Sequence, residues 1–178
     1  LTDLRVFLKK NKWQIPFFLK GMIGECLTMK KLLSQKHLKK SIILYLGGAT
    51  PKEDIIVDGK KIQVKTQFPH DVIIKNVKCF SSPSISKSTF DFVDHIVLVI
   101  VQDEDLLTSE FYIFNKDEFK YFSEVGCWSA KSRGDKTIFC IQEIKGDLTE
   151  SAKKIVEKYN TPIYRKLFAD SKNNWKRI

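Results

Sequence analysis

Between Phe18 and Leu33 the apolar residues Phe18, Leu19, Met22, Ile23, Cys26, Leu27, Met29, Leu32 and Leu33 recur close to every 3.6 positions. That spacing gathers side chains on one face of an α-helix. It predicts a helix from about Phe17 to Gln35, with Pro16 in its first turn, where a missing N–H is harmless. Leu4, Phe7 and Leu8 predict a shorter helix ahead of it. After a basic run, Lys36 to Lys40, the pattern changes. Ser41 to Leu46 reads as a strand, and Gly47 to Pro51 as a loop.

The stretch from Asp54 to Thr66 then reads as a hairpin. Ile55, Ile56 and Val57 are β-branched, and Asp58-Gly59 is a strong two-residue turn signal because Gly accepts positive φ without steric cost. Beyond the turn, Ile62 and Val64 alternate with Lys61, Gln63 and Lys65, the period of a half-buried strand. Alternation puts Gln63 and Lys65 on one face, and the hairpin brings Asp54 beside them. A carboxylate and an amide oxygen are hard ligands suited to Mg²⁺, and a Lys ammonium there can hold a water or meet charge growing on a phosphate. The same three residues also fit an ordinary solvated strand face.

Further along, Val72 to Cys79 predicts a strand and the Ser-rich stretch Ser81 to Ser88 a loop. Ile96 to Val101 is continuously apolar, so His95 to Gln102 predicts a strand buried on both faces. Phe111 to Phe114 and Thr137 to Ile141 predict strands, Asp117 to Phe122 a short helix and Cys127 to Asp135 a loop. Leu148 to Tyr159 and Ile163 to Phe168 are helical in pattern, and a basic tail follows. Helix, then mostly strands, then helices predicts an α/β fold with a mixed central β-sheet flanked by α-helices.

A length of 178 residues suits one domain with its own core, here residues 1–178, with the core over about 15–145 and C-terminal helices over 146–178. The formal charge of +10, from 31 basic and 21 acidic residues, suits a polyanion such as nucleic acid, although a solubility charge has the same sign. Cys26, Cys79, Cys127 and Cys140 are too far apart for a zinc knuckle, and Cys26 and Cys140 fall in apolar stretches as buried free thiols do. Free thiols make a reducing cytoplasm the expected location; no apolar run reaches membrane-spanning length and no signal-peptide pattern is present. The chain begins at Leu1 rather than Met, which fits a piece of something longer or a trimmed chain.

Glu25 changes the picture. It lies on the helical face that Met22, Met29, Phe18 and Leu32 share, so burial is expected. A buried carboxylate is costly unless it is paired or bound to a metal. The alternatives are a Glu at the stripe's edge reaching solvent, or an ion pair with a nearby Lys. Outside these segments, Cys127 to Lys136 holds Trp128, Lys131, Arg133 and Lys136, a basic stretch with an aromatic that suits phosphate contact and base stacking or, equally, a solvated loop anchored by one Trp. Gln67, just past Lys65, is a further candidate for contact with DNA.

Gly24-Glu25 in an early helix, Pro51-Lys52-Glu53-Asp54, and Gln63-Val64-Lys65 together resemble the PD-(D/E)XK restriction-endonuclease-like superfamily. The likeness is closest to Mrr-like and some homing-endonuclease members, which carry Gln in the second motif. It spans roughly residues 15 to 115. It departs from the pattern in two places: Pro51 is not adjacent to Asp54, and Gln63 carries no charge. The resemblance implies a restriction-endonuclease-like mixed sheet and hydrolysis of phosphodiester bonds with Mg²⁺ or Mn²⁺. It implies Asp54 as a metal ligand, Gln63 as a metal ligand or water-orienting group, Glu25 as a helper acid on the same metal, and Lys65 as the catalytic lysine. The expected activity is that of a Mg²⁺-dependent DNA endonuclease, with a homodimer serving a double-strand cut and RNA left open as a substrate. Two other readings stand beside it: a catalytically inactive member that binds nucleic acid or a partner, and a nuclease toxin domain.

Overall fold

The computed structural model describes residues 17–47, 52–68, 72–74, 77–81, 85–101, 109–118, 121, 128–130, 136–144 and 146–178. Along the chain these form α1 (Phe17–Ser34), β1 (Ile43–Tyr45), β2 (Ile55–Val57), β3 (Lys60–Gln67), β4 (Val72–Ile74), β5 (Val77–Ser81), α2 (Lys87–Phe92), β6 (His95–Ile100), β7 (Glu110–Asn115), β8 (Trp128–Ala130), β9 (Lys136–Ile144), α3 (Glu150–Tyr159) and α4 (Pro162–Ser171). Short 3-10 turns cover Lys36–Leu38 and Trp175–Arg177. No described helix is long and apolar enough to cross a membrane.

A five-stranded sheet in the order β1-β2-β3-β6-β7 is the centre of this α/β fold. Only β3 and β6 run parallel, and the other pairs are antiparallel, so the sheet is mixed as expected. The β2–β3 hairpin closes in two residues, Asp58 at φ 47° and Gly59 at φ 84°, the twist that matches flanking strands. All six residues of β6 are buried, because side chains of one strand feed two cores. Val97 and Val99 join Ile62, Val64, Phe111 and Ile113 on the face that carries α1. Ile96, Leu98 and Ile100 join Tyr112, Phe114, Tyr164 and Phe168 on the other face. Each such side chain withdrawn from water contributes about 1.5–3 kcal/mol.

A second, antiparallel sheet of four strands, β4-β5-β9-β8, differs from the single sheet expected. Part of it is β8, which occupies the start of the stretch read as a loop from Cys127. The Ser-rich stretch also differs. Ser81 ends β5, and Ser86 caps α2 by accepting the Thr89 N–H at 3.1 Å. A serine there marks a helix start as readily as a loop, because its hydroxyl satisfies a free backbone N–H. The helix expected over Asp117 to Phe122 is helical at 116–118 and at 121. The short helix expected near Leu4 lies outside the described residues.

Helix α1 ends one residue before its expected limit, but it is rotated from the expected face. Phe18 and Met22, expected to share a buried face with Glu25, are 67% and 47% exposed. Cys26, expected as a buried thiol, is also exposed. The buried face consists of Gly24, Glu25, Thr28 and Leu32, joined by Ile23. The reason is a close approach: a Cβ at Gly24 would lie 1.8 Å from Thr66 Oγ1 on β3. The helix packs where its side chains are smallest, not where its apolar residues are densest.

Candidate active site

Asp54 stands immediately before β2, and the ladder fixes its backbone from both sides. Its N–H donates to Ile62 O at 2.9 Å, and its carbonyl accepts the N–H groups of Leu46 at 2.9 Å and Gly47 at 3.3 Å. Its side chain then continues the ladder, with Oδ2 accepting the Val64 N–H at 2.7 Å. The same oxygen accepts the Gln63 amide N–H. Gln63 and Lys65 project from one face of β3, since Ile62 and Val64 fill the opposite core. The hairpin thus brings Asp54, Gln63 and Lys65 together.

Glu25 reaches the same place from α1. The Gly24–Thr66 approach brings the next residue close to the sheet, and the Tyr45 hydroxyl of β1 donates to Glu25 Oε2 at 2.8 Å. Glu25, Asp54 and Gln63 are 8%, 6% and 7% exposed. Burial pushes the Asp54 carboxyl up to about 6, and the Glu25 charge adds to that push. The Val64 N–H, the Lys65 ammonium and the Gln63 amide pull the other way. The Tyr45 phenol is pushed up, by burial first and then by its bond to Glu25, so it remains a donor at neutral pH.

The donor set is two carboxylates and one amide. Among the described residues no three His, Cys, Asp or Glu side chains gather in one place. A fully protein-ligated ion such as structural zinc therefore does not fit. An ion that keeps several waters and takes few, hard protein ligands does. Two buried carboxylates, with the Glu25 charge opposing ionisation of Asp54 and the Lys65 ammonium favouring it, make a place where a divalent cation would balance negative charge. Half a turn of the Gln63 amide presents its oxygen in place of its N–H₂.

The remaining candidates lie elsewhere. Gln67 ends β3 half-buried, and its amide donates to Phe68 O at 2.9 Å. Trp128 and Lys136 sit on the paired strands β8 and β9 of the second sheet rather than on one loop. Lys131 and Arg133 lie outside the described residues. Tyr45 is the neighbour that the sequence did not single out, because Ile-Leu-Tyr in a short strand reads like any other apolar strand.

No family model matches the chain, and no curated protein matches it. Among solved structures, the fold is similar to that of a bacterial homing endonuclease, I-Ssp6803I, at a TM-score of 0.45 and 18% identity, over 87% of this chain and 96% of that one. A likeness so distant does not bear on chemistry, which has to be read from the residues themselves.

Proposed function

We propose that the chain is a Mg²⁺- or Mn²⁺-dependent DNA endonuclease of the restriction-like kind, with Glu25, Asp54, Gln63 and Lys65 as its site. The observation that carries this reading is the burial of both Glu25 and Asp54, with the Gln63 amide on Asp54 and the charges of Glu25 and Lys65 both acting on it. Packing does not account for two buried carboxylates, which are costly to desolvate and cluster where chemistry is done. The sequence resemblance to PD-(D/E)XK nucleases assigns the same four residues.

In this reading Glu25, Asp54 and the Gln63 amide oxygen hold the ion, which supplies positive charge at the scissile phosphate when bound. Asp54 is held rigid by four backbone hydrogen bonds, so its carboxylate needs little reorganisation. Lys65 orients the attacking water and meets charge developing on the phosphate. Glu25, Asp54 and Gln63 are nearly out of contact with bulk water, which strengthens their electrostatic interactions. A cut through both strands needs two such sites, so the reading carries a homodimer with it.

Plasmid cleavage tests it. Parent protein is expected to nick or cut DNA with Mg²⁺ or Mn²⁺ and to stop when EDTA is added. Asp54→Ala and Lys65→Ala are each expected to lower the rate at least about 100-fold. Variants that cut like the parent would show the site to be misassigned. A second reading, an inactive member that binds nucleic acid or a partner, is favoured by the uncharged Gln63 already donating to Asp54. Duplex binding with no cutting under either ion would select it.

A further inference from the structure

Tyr45 presents its ring and its hydroxyl differently. The residue is 45% exposed, so it does not serve as a core side chain. Its hydroxyl nevertheless turns inward to Glu25 Oε2, at 2.8 Å, and Glu25 is almost fully buried.

The surrounding backbone is arranged to hold that phenol. Tyr45 pairs in register with Ile55, the residue after Asp54. Two residues on, Gly47 adopts φ 56°, and a Cβ there would lie 3.2 Å from both Cζ and the hydroxyl oxygen of Tyr45. The ring edge therefore rests on a backbone that has no side chain to displace it. The N–H groups of Leu46 and Gly47 meanwhile hold the Asp54 carbonyl. One short turn thus fixes the phenol that touches Glu25 and the backbone that carries Asp54.

We propose that Tyr45 is a positioning residue for the site: its hydroxyl fixes the rotamer of the Glu25 carboxylate, so that the free oxygen faces Asp54 and the divalent ion. The inference rests on the metal-dependent reading above. It adds a residue outside the four assigned there and gives β1 a role in the site. Partners that orient a metal-binding side chain typically govern ion affinity by about 10- to 100-fold when removed. A group held only for packing would act on stability instead.

The experiment is calorimetric titration of the full chain with Mn²⁺, alongside thermal melts of the metal-free protein. Tyr45→Phe, which keeps the ring against Gly47, is expected to weaken Mn²⁺ binding about 10-fold with the metal-free melting temperature unchanged. Glu25→Gln serves as the reference and is expected to weaken binding more. If Glu25→Gln weakens binding and Tyr45→Phe binds like the parent, Tyr45 is not a positioning residue while the metal site stands. If Tyr45→Phe lowers the melting temperature and leaves affinity intact, its role is structural and the proposal is wrong. If the parent binds no Mn²⁺, or Glu25→Gln leaves binding unchanged, the metal-site reading fails and this inference fails with it.

Discussion

At the scale of single residues, the site is expensive for the fold that carries it. Asp54 in the folded chain titrates near 6, against an ordinary 3.8. The folded state thus holds a proton that the unfolded chain has already released across that interval. Stability from this group is greatest below about pH 4 and is lost as pH rises through about 6. At neutral pH Asp54 is ionised, buried and facing Glu25. Asp54→Asn keeps the shape and an acceptor for the Val64 N–H while removing the charge. In EDTA at pH 8 it is expected to be more stable than the parent by about 1–3 kcal/mol, with the advantage gone by about pH 4. Urea denaturation at both pH values checks this, and a difference that is the same at both would contradict the assignment of burial and charge as the cause. The same variant is expected to lose ion-dependent cleavage, so stability and activity move in opposite directions.

At the scale of elements, α1 depends on a residue with no side chain. Gly→Ala in a helix interior ordinarily stabilises by about 0.5–1 kcal/mol. At Gly24 the new Cβ would lie 1.8 Å from Thr66 Oγ1 and 2.9 Å from Thr66 Cβ, so either the helix or β3 must move. Gly24→Ala is therefore expected to destabilise by about 1–3 kcal/mol and to weaken Mn²⁺ binding through its neighbour Glu25. A stabilising effect in a denaturant titration would show that α1 does not pack this closely. The helix also marks how far the sequence can be read. Its limits follow from a 3.6-residue period, and the β2–β3 hairpin follows from alternation and Asp58-Gly59, whereas Glu25 is buried on a different face from the one that period marks. The helix's rotation does not follow from the period, because Phe18, Met22 and Leu33 make the more apolar stripe and remain exposed. The buried stripe is selected by how near Gly24 and Thr28 let the helix come to β3, a tertiary quantity. Tyr45 was hidden for a related reason: its role comes from where β1 ends relative to Glu25, 20 positions earlier. The cap at Ser86 and strand β8 were hidden by local composition that serves loops equally well.

At the scale of the whole molecule, the last residues close a core begun by α1. The sequence marks the tail only as basic, yet Trp175 and Ile178 belong to the same cluster as Leu32, Val64 and Phe111. Trp175 lies 5.2 Å from the Phe111 ring, centroid to centroid, and its carbonyl is bonded to His37 Nε2 at 3.1 Å. Arg177 Nη1 donates to both Glu118 oxygens at 2.6 Å and to Ile113 O at 2.9 Å, in a largely buried pair. Its charge is thus spent inside the protein, and truncating either partner would strand the other. Lys60 Nζ, beside the β2–β3 turn, donates to Ile178 O at 2.7 Å. The tail therefore touches β7, the turn after α1 and the hairpin that carries Gln63 and Lys65. Trp175→Ala removes an indole that is 6% exposed, and such truncations cost about 3–5 kcal/mol. That is a large part of the 5–15 kcal/mol that holds a typical domain. The variant is expected to unfold at markedly lower urea concentration in one cooperative step, and to lose Mn²⁺ affinity in proportion to the folded fraction. Trp175→Phe, which keeps a ring against Phe111, is expected to recover most of the stability. If Trp175→Ala instead unfolds like the parent while Gly24→Ala does not, the tail lies outside the cooperative core, and α1 and the sheet hold the site without it.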